Sequence, residues 1–301
     1  MPRLRPLDVM TLGYLTVVAI LVTLFHARVA GWWQLVGCFV AAAAVAVGVV
    51  AAHERCPGLR WLEFARWAYP LFFALALYEA VGRYALILRG HFLDAGMNAW
   101  EEWAFRGHPN IVVDRLASRP LTELLYLCYF GFYLFFLIPP LVFFFRRRIA
   151  DMERYVFTLM AALYTCYLGF LVVPLAGPGT SLAGRFVPAS LSGYVVVPLQ
   201  KFIMANGDPA GACFPSAHVA GAWAATLVLG TLAGRRVFLS VLPLTIGLTV
   251  AVVYTRYHYM SDALAGFAVA IAVFALTRRS TSPAASPSAL ADRAPEPVRT
   301  A

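Results

Sequence analysis

Long apolar stretches recur along this chain and limit what it can fold into. A helix needs about 20 apolar residues to cross the hydrocarbon core of a bilayer. Hydrophobic residues make up 61% of the 301 residues and charged residues only 13%, which is unlike the balance of soluble proteins. The sequence therefore predicts an all-α fold, a polytopic membrane bundle with about eight transmembrane helices. The eight stretches lie at about 9–25, 32–52, 67–88, 121–145, 155–174, 214–233, 237–255 and 261–277.

The positive charges follow a pattern typical of membrane proteins. The formal net charge is +9, and all but one of the basic side chains are arginines. Cationic residues favour the cytoplasmic side, so arginines at every second junction predict two cytoplasmic termini and no nucleic-acid partner. Abundant arginine and alanine with a single lysine are typical of a GC-rich bacterium, so we expect the plasma membrane. The clusters are Arg3 and Arg5; Arg55, Arg60 and Arg66; Arg146, Arg147, Arg148 and Arg154; Arg235 and Arg236; Arg278 and Arg279.

Three segments are left on the opposite, periplasmic or extracellular, side. The first, about 89–120, carries NAWEEWAFRGHP, which is typical of an interfacial helix, an anchor or a lid over a lipid site. The second, about 175–212, is a long Gly- and Pro-rich loop whose cations are Arg185 and Lys201. The third is the turn within YTRYHYMSDALAG at 254–266. Because these segments share one depth, the sequence predicts the functional site there.

The start of the sixth stretch, CFPSAHVAGAWAATL, favours an anion site. Ser216 follows Pro215 and precedes an apolar helical run, as an N-cap residue does. Free N–H groups and the helix dipole would attract an anion at that point. Ala217 is small enough for the anion to approach the backbone, and His218 lies in the first turn. An ordinary cap with an interfacial histidine is the alternative.

The turn at 254–266 supplies the second half of the candidate site. His258 and Asp262 are four residues apart, and a carboxylate beside a histidine fixes its tautomer and stabilises the imidazolium. Arg256 lies two residues before His258 and could hold phosphate oxygens, or could simply pair with Asp262. Two histidines with nearby cations suit in-line phosphoryl transfer.

The remaining ionisable and sulfur-containing residues give weaker signals. In the third stretch, Glu79 and Arg83 are four apart and favour a self-neutralised structural pair. Cysteine spacing shows no metal-binding pattern, and Cys56 and Cys213 are expected on opposite sides of the membrane. The Pro-, Ala- and Ser-rich end at 280–301 predicts a disordered cytoplasmic tail.

PSAH at 215–218 and RYHYMSD at 256–262 resemble the second and third signature motifs of the type 2 phosphatidic acid phosphatase superfamily. CFPSAHVA, ELLYLCYFGFYLFFLIPP at 123–140 and VVPLAGPG at 172–179 are most similar to its inositol phosphorylceramide synthase-like branch. The resemblance implies two N-terminal helices (1–60) before a phosphatase-like membrane domain (61–279) with a six-helix core.

The resemblance also implies roles for single residues. His258 would be the nucleophile that becomes phosphohistidine, Asp262 would orient it, and His218 would be the general acid. Ser216 would help to bind phosphate. No metal or other cofactor is implied.

The chain departs from the family pattern in its phosphate-binding cations. The first motif is missing, Ala251 and Val252 replace the Ser-Arg of the third motif, and Gly179 lies where the related branch often has arginine. Arg185 and Arg256 are the candidate substitutes.

The sequence leaves several functions open. The first is a membrane-embedded lipid phosphate phosphatase or phosphotransferase. The second is an inositol-phosphate-type headgroup transferase that delivers to a lipid alcohol. A lipid transporter or a non-catalytic membrane scaffold are the alternatives of a different class. The oligomeric state is not predicted.

Overall fold

The computed structural model describes residues 3–187, 190–207 and 209–280, and the regular secondary structure in these ranges is helical. They contain no β-strand, only an isolated bridge between Leu175 and Gly211. The predicted all-α fold is confirmed. The helices are α1 (Pro6–Leu24), α2 (Trp32–Arg55), α3 (Arg60–Val81), α4 (Asp94–Phe105), α5 (Pro109–Asp114), α6 (Arg119–Phe130), α7 (Phe132–Phe145), α8 (Ile149–Val172), α9 (Pro178–Ser181), α10 (Val196–Gly207), α11 (Ala217–Ala233), α12 (Arg235–Tyr254) and α13 (Met260–Ser280).

The structure contains the helices of a multi-pass membrane protein. Fewer than the eight predicted spans are, taken singly, long and apolar enough to cross a bilayer. In the described ranges α1, α2, α8, α12 and α13 are long and apolar enough to cross a bilayer, and α6 with α7 would form a sixth, broken span. The other two predicted spans correspond to α3 and α11. Helix α3 carries four charged side chains, and α11 has only 17 residues.

The broken span bends by 41° at Gly131, between α6 and α7. A Cβ atom at Gly131 would lie 2.6 Å from a methyl group of Leu244 on α12. The glycine therefore lets two helices approach more closely than any side chain would allow, and the chain changes direction at this contact.

Helix α8 lies at the centre of the bundle. It contacts α1, α3, α7, α11 and α13, and more than half of its residues are buried. Helix α13 approaches the start of α11 so closely that a Cβ atom at Gly266 would lie 2.4 Å from the carbonyl oxygen of Ser216. This close approach places the first turn of α13 beside the N-terminus of α11.

A buried ion pair joins the N-terminal helix to the rest of the bundle. Helix α3 begins at Arg60, about seven residues before the predicted span, so Arg66 lies inside the helix. Its guanidinium donates to both carboxylate oxygens of Asp8 at 2.6 and 2.5 Å, and Tyr69 donates to the same carboxylate at 2.9 Å. Both charged side chains are almost fully buried.

The predicted division at residue 60, between two N-terminal helices and the phosphatase-like domain, remains a prediction. The predicted disordered tail at 280–301 lies, from residue 281 onward, outside the described residues. The expected pair of Glu79 and Arg83 is wrong, because Arg83 donates instead to the backbone carbonyls of Ala30 and Gly31.

We predict that Arg66→Met lowers the free energy of unfolding by about 3–5 kcal/mol, because it leaves the Asp8 carboxylate buried without its partner. Thermal and denaturant unfolding in detergent would measure the loss. Glu153→Gln, which removes the half-exposed pair with Arg5 at 3.5 Å, is the control and should cost at most about 1 kcal/mol. Wild-type stability in Arg66→Met would contradict the prediction.

Candidate active site

At one end of the bundle, three connecting segments are tied to one another by buried hydrogen bonds. These segments are 82–118, 173–216 and the turn 255–259 between α12 and α13. The Asn110 amide donates to the carbonyl oxygens of Val253 and His258, at 2.7 and 2.9 Å. The backbone N–H of Ser216 donates to the carbonyl oxygen of Asp262 at 3.0 Å. The chain around His258 is therefore held from two sides.

Carboxylates from the first segment accept hydrogen bonds from the other two. Asp94 accepts from the backbone N–H groups of Ala176 and Gly177 at 2.8 and 2.9 Å, and from the Tyr259 hydroxyl at 3.0 Å. Glu101 is fully buried and accepts from the N–H of Ser261 at 2.8 Å, in the first turn of α13. Because free N–H groups at helix starts need acceptors, these acids act as remote caps.

Glu123, on α6, caps the start of α10 in the same way. It accepts from the N–H groups of Tyr194, Val195 and Val196 at 2.5–2.8 Å. The predicted interfacial segment and α6 thus provide acids that fix the site loops.

Ser216 is the N-cap of α11, as predicted. Its hydroxyl oxygen accepts from the N–H of Val219 at 3.4 Å, and the residue is fully buried. Ala217 and His218 form the first turn of the helix. The N-terminus of α11 therefore faces the turn that carries His258.

His258 and Asp262 lie together although α13 begins only at Met260. His258 Nδ1 is 3.5 Å from Asp262 Oδ2. The same oxygen accepts from the N–H of Tyr259 at 2.8 Å and from the Cys213 thiol at 2.9 Å. The carboxylate is fully buried, so these donors compensate for its lost hydration. The contacts of the His258 ring with Asp262 and Cys213 are both made through Nδ1.

His218 faces His258, with 5.9 Å between the ring centroids. The Tyr129 hydroxyl lies 3.0 Å from His218 Nε2, and the Phe132 ring packs against the imidazole at 4.6 Å. His218 Nδ1 is buried and has no hydrogen-bond partner among the described residues. Both rings are close enough to contact one phosphoryl group.

Two cavities of opposite character lie next to Tyr129 and Tyr257, which neighbour the histidines. The first, about 290 Å³, is lined almost entirely by apolar and aromatic side chains, together with Tyr129, His218 and Glu79. The second, about 370 Å³, is polar and includes Lys201, Arg256 and Tyr257. The Tyr129 and Tyr257 rings contact each other at 5.1 Å and separate the two cavities. An apolar and a polar cavity therefore lie on either side of this pair of tyrosines.

A family model described as the PAP2 superfamily matches residues 96–276, more than half of the chain. The chain belongs to the PAP2 superfamily. No curated protein and no solved structure matches it. Membership in the PAP2 superfamily supports a phosphatase-type activity on lipid phosphates, and it confirms the coarser part of the predicted resemblance.

The candidate cations of this PAP2 protein differ in their surroundings. Arg256, with φ of 68°, donates to Asp114 and Ser190, and its guanidinium stacks on Phe186 at 4.2 Å. Burial would raise the pKa of Asp114, but its hydrogen bonds, led by that from Arg256, lower it below its ordinary value. The alternative pair of Arg256 with Asp262 is not formed. Arg256 is therefore a partly neutralised cation at the polar cavity.

Arg185 and Lys201 lie on different parts of the long loop. Arg185 is exposed, and its charge, after burial, helps to lower the pKa of His108. It does not line the polar cavity. Lys201, on α10, lines the polar cavity, and its ammonium donates to the carbonyl oxygen of Leu191 at 2.7 Å. The structure thus brings the single lysine to Arg256, a proximity that the sequence did not indicate.

Gly179 lies against the backbone of Arg256. Its N–H donates to the carbonyl oxygen of Arg256 at 3.0 Å, and a Cβ atom at 179 would lie 3.0 Å from that oxygen. A side chain at 179 would crowd the Arg256 backbone. Arg256 and Lys201 instead bring positive charge to the cavity that Gly179 lines.

We predict that Asn110→Ala destabilises the protein by about 1–3 kcal/mol, because the buried carbonyl oxygen of His258 loses its donor and that of Val253 keeps only the N–H of Arg256. Unfolding in detergent would measure it. Asn98→Ala, on the neighbouring helix α4, removes an amide whose Oδ1 lacks a partner among the described residues, and should have a much smaller effect. Equal stability losses in both variants would contradict a special role for Asn110.

Proposed function

We propose that this protein is a lipid phosphate phosphatase that works through a phosphohistidine on His258. The observation that carries the proposal is that the His258–Asp262 pair faces His218, which lines an apolar cavity, while Tyr257, the neighbour of His258 in the chain, lines a polar one. A lipid phosphate has one part for each cavity. The proposed site is periplasmic or extracellular, in the plasma membrane, with both termini cytoplasmic.

In the first step, His258 Nε2 attacks phosphorus. The bond between phosphorus and the lipid oxygen breaks, and that oxygen takes a proton from His218 to leave as a lipid alcohol. Asp262, on Nδ1, stabilises the positive charge that develops on the His258 ring. Ser216 and the N–H of Ala217 are the proposed donors to the non-bridging oxygens at the start of α11.

In the second step, water attacks the phosphohistidine. His218, now neutral, takes a proton from the water, the phosphorus–nitrogen bond breaks, and inorganic phosphate leaves. His258 returns to its neutral form. His218 therefore gives up one proton and regains one in each cycle, while His258 keeps its own, and no other group is needed for proton transfer.

Cationic side chains stabilise the negative charge of the phosphate group in the ground state and in the transition state. Arg256 and Lys201 share the polar cavity, which supports them as phosphate-binding residues. Arg185 is the proposed further cation at the exposed rim of the loop.

A headgroup transferase of the inositol phosphorylceramide synthase-like type is the second candidate. It would share the first step, but an alcohol would replace water in the second. The polar cavity of about 370 Å³ favours this candidate, because it has room for a polyol beside the phosphate. A transporter or a scaffold would not need the paired histidines.

We predict that His258→Ala reduces turnover to the background and that His218→Ala reduces it by about 10²–10⁴-fold. Purified protein in detergent would be given phosphatidic acid, a prenyl diphosphate and phosphatidylinositol, with and without a lipid alcohol. Phosphate release would identify a phosphatase, and headgroup transfer would identify a transferase. His26→Ala, on an exposed histidine of the α1–α2 loop, is the control and should retain activity. Activity that survives His258→Ala would overturn the proposal.

We predict that Lys201→Met lowers kcat/KM for a lipid phosphate by about tenfold, because hydrogen bonds to charged groups contribute about 1.5–3 kcal/mol. Arg185→Met is the matched comparison, since it removes the other cation of the same loop. A smaller loss in Arg185→Met is expected from its position outside the polar cavity. A larger loss there than in Lys201→Met would reverse the ranking of the two cations.

A further inference from the structure

Cys213 brings a third metal-binding group to the catalytic pair. Its Sγ lies 2.9 Å from Asp262 Oδ2 and 3.6 Å from His258 Nδ1, and the last two atoms are 3.5 Å apart. All three residues are buried. A thiol, an imidazole and a carboxylate thus form a compact triangle next to the proposed nucleophile.

The dimensions of this triangle match those of a zinc site. Zinc binds thiolate sulfur at about 2.3 Å, and histidine nitrogen and carboxylate oxygen at about 2.0–2.2 Å. At tetrahedral angles these bond lengths separate neighbouring ligand atoms by about 3.3–3.6 Å. Two edges of the triangle are within about 0.1 Å of that range, and only the edge between Sγ and Oδ2 must widen, by about half an ångström.

A second observation also indicates a ligand at this point. The Asp262 side chain is fully buried, and its Oδ1 has no hydrogen-bond partner among the described residues. A buried carboxylate oxygen without a partner is costly. A cation bound to this carboxylate would supply the missing positive charge.

We propose that Cys213, His258 and Asp262 bind a thiophilic divalent cation of the Zn²⁺ class, and that this cation inhibits the enzyme. On binding, the Cys213 thiol loses its proton to solvent, and the proton of the neutral His258 ring moves from Nδ1 to Nε2. The metal then takes the Asp262 oxygen and the freed Nδ1 lone pair. His258 then loses the carboxylate that supports it, and its Nε2, which now carries the ring proton, has no lone pair with which to attack phosphorus.

The inhibitory effect rests on the proposed function, but metal binding does not. A phosphate group must reach the His258 ring for the proposed reaction, so a cation can follow the same path. The ligands lie at 213, 258 and 262, far from any cysteine-pair spacing, and the fold alone brings them together.

Titration of the purified protein with Co²⁺ tests the binding directly. Wild-type protein and the control Cys56→Ser, which removes an exposed thiol outside the triangle, should both show a thiolate-to-cobalt charge-transfer band at one equivalent. Cys213→Ser should lose that band. Cys213→Ala is the second variant if serine impairs folding. Zn²⁺ should abolish the cobalt spectrum by competition.

An unchanged band in both Cys213 variants would overturn the proposal, as would the absence of a thiolate band in folded wild-type protein. Activity assays then test inhibition. Zn²⁺ should inhibit the wild type reversibly, with rescue by a chelator, and at least tenfold more weakly when Cys213 is replaced, each variant being compared with its own metal-free rate. Equal sensitivity of all variants would refute the inhibitory role. If no lipid phosphate is turned over, the cobalt spectrum still decides whether the site exists.

Discussion

The geometry of the candidate site depends on how the turn between α12 and α13 is held. Asn110 donates to the carbonyl oxygens of Val253, in the last turn of α12, and of His258, within the turn, and Glu101 accepts from the N–H of Ser261 just beyond it. Buried backbone groups that lack partners are costly, most of all near a bilayer. These bonds therefore fix the position of His258 more firmly than the short turn could alone. The distances to Asp262 and His218 follow from that position.

The same physical constraint explains where the acids of this apolar chain lie. Asp94, Glu101 and Glu123 each accept from backbone N–H groups at the start of a helix or loop far away in sequence. Burial raises the pKa of Glu101, while the hydrogen bond from Ser261 opposes that change. The acids are therefore structural groups that hold the segments around the two histidines.

Much of the site could be predicted because its signals are local. The N-cap at Ser216 and the four-residue spacing of His258 and Asp262 are visible in short segments, and the recurrence of apolar stretches predicts that the two segments share one depth. The all-helical fold follows from the same recurrence. The sequence predicts eight spans, but two of them differ from a typical membrane-spanning helix. Helix α3 carries four charged side chains, and α11 has only 17 residues.

The rest could not be predicted because it depends on contacts between distant residues. Arg66 pairs with Asp8 across 58 positions, and Asn110 reaches His258 across 148. No spacing rule indicates such pairs. Lys201 and Cys213 also gain their significance only when folding brings them beside Arg256 and His258. Tyr129, which contacts His218, lies in the stretch that carries the family resemblance, but its role required the structure.

The most direct test of the central claim is to detect the covalent intermediate. The protein would be mixed with a ³²P-labelled lipid phosphate and quenched in base within a single turnover, then digested and analysed by mass spectrometry. The account predicts one base-stable, acid-labile phosphoryl group on the peptide that contains His258, and none on the peptide that contains His218. Turnover without any phosphohistidine, or a phosphoryl group on His218, would contradict it.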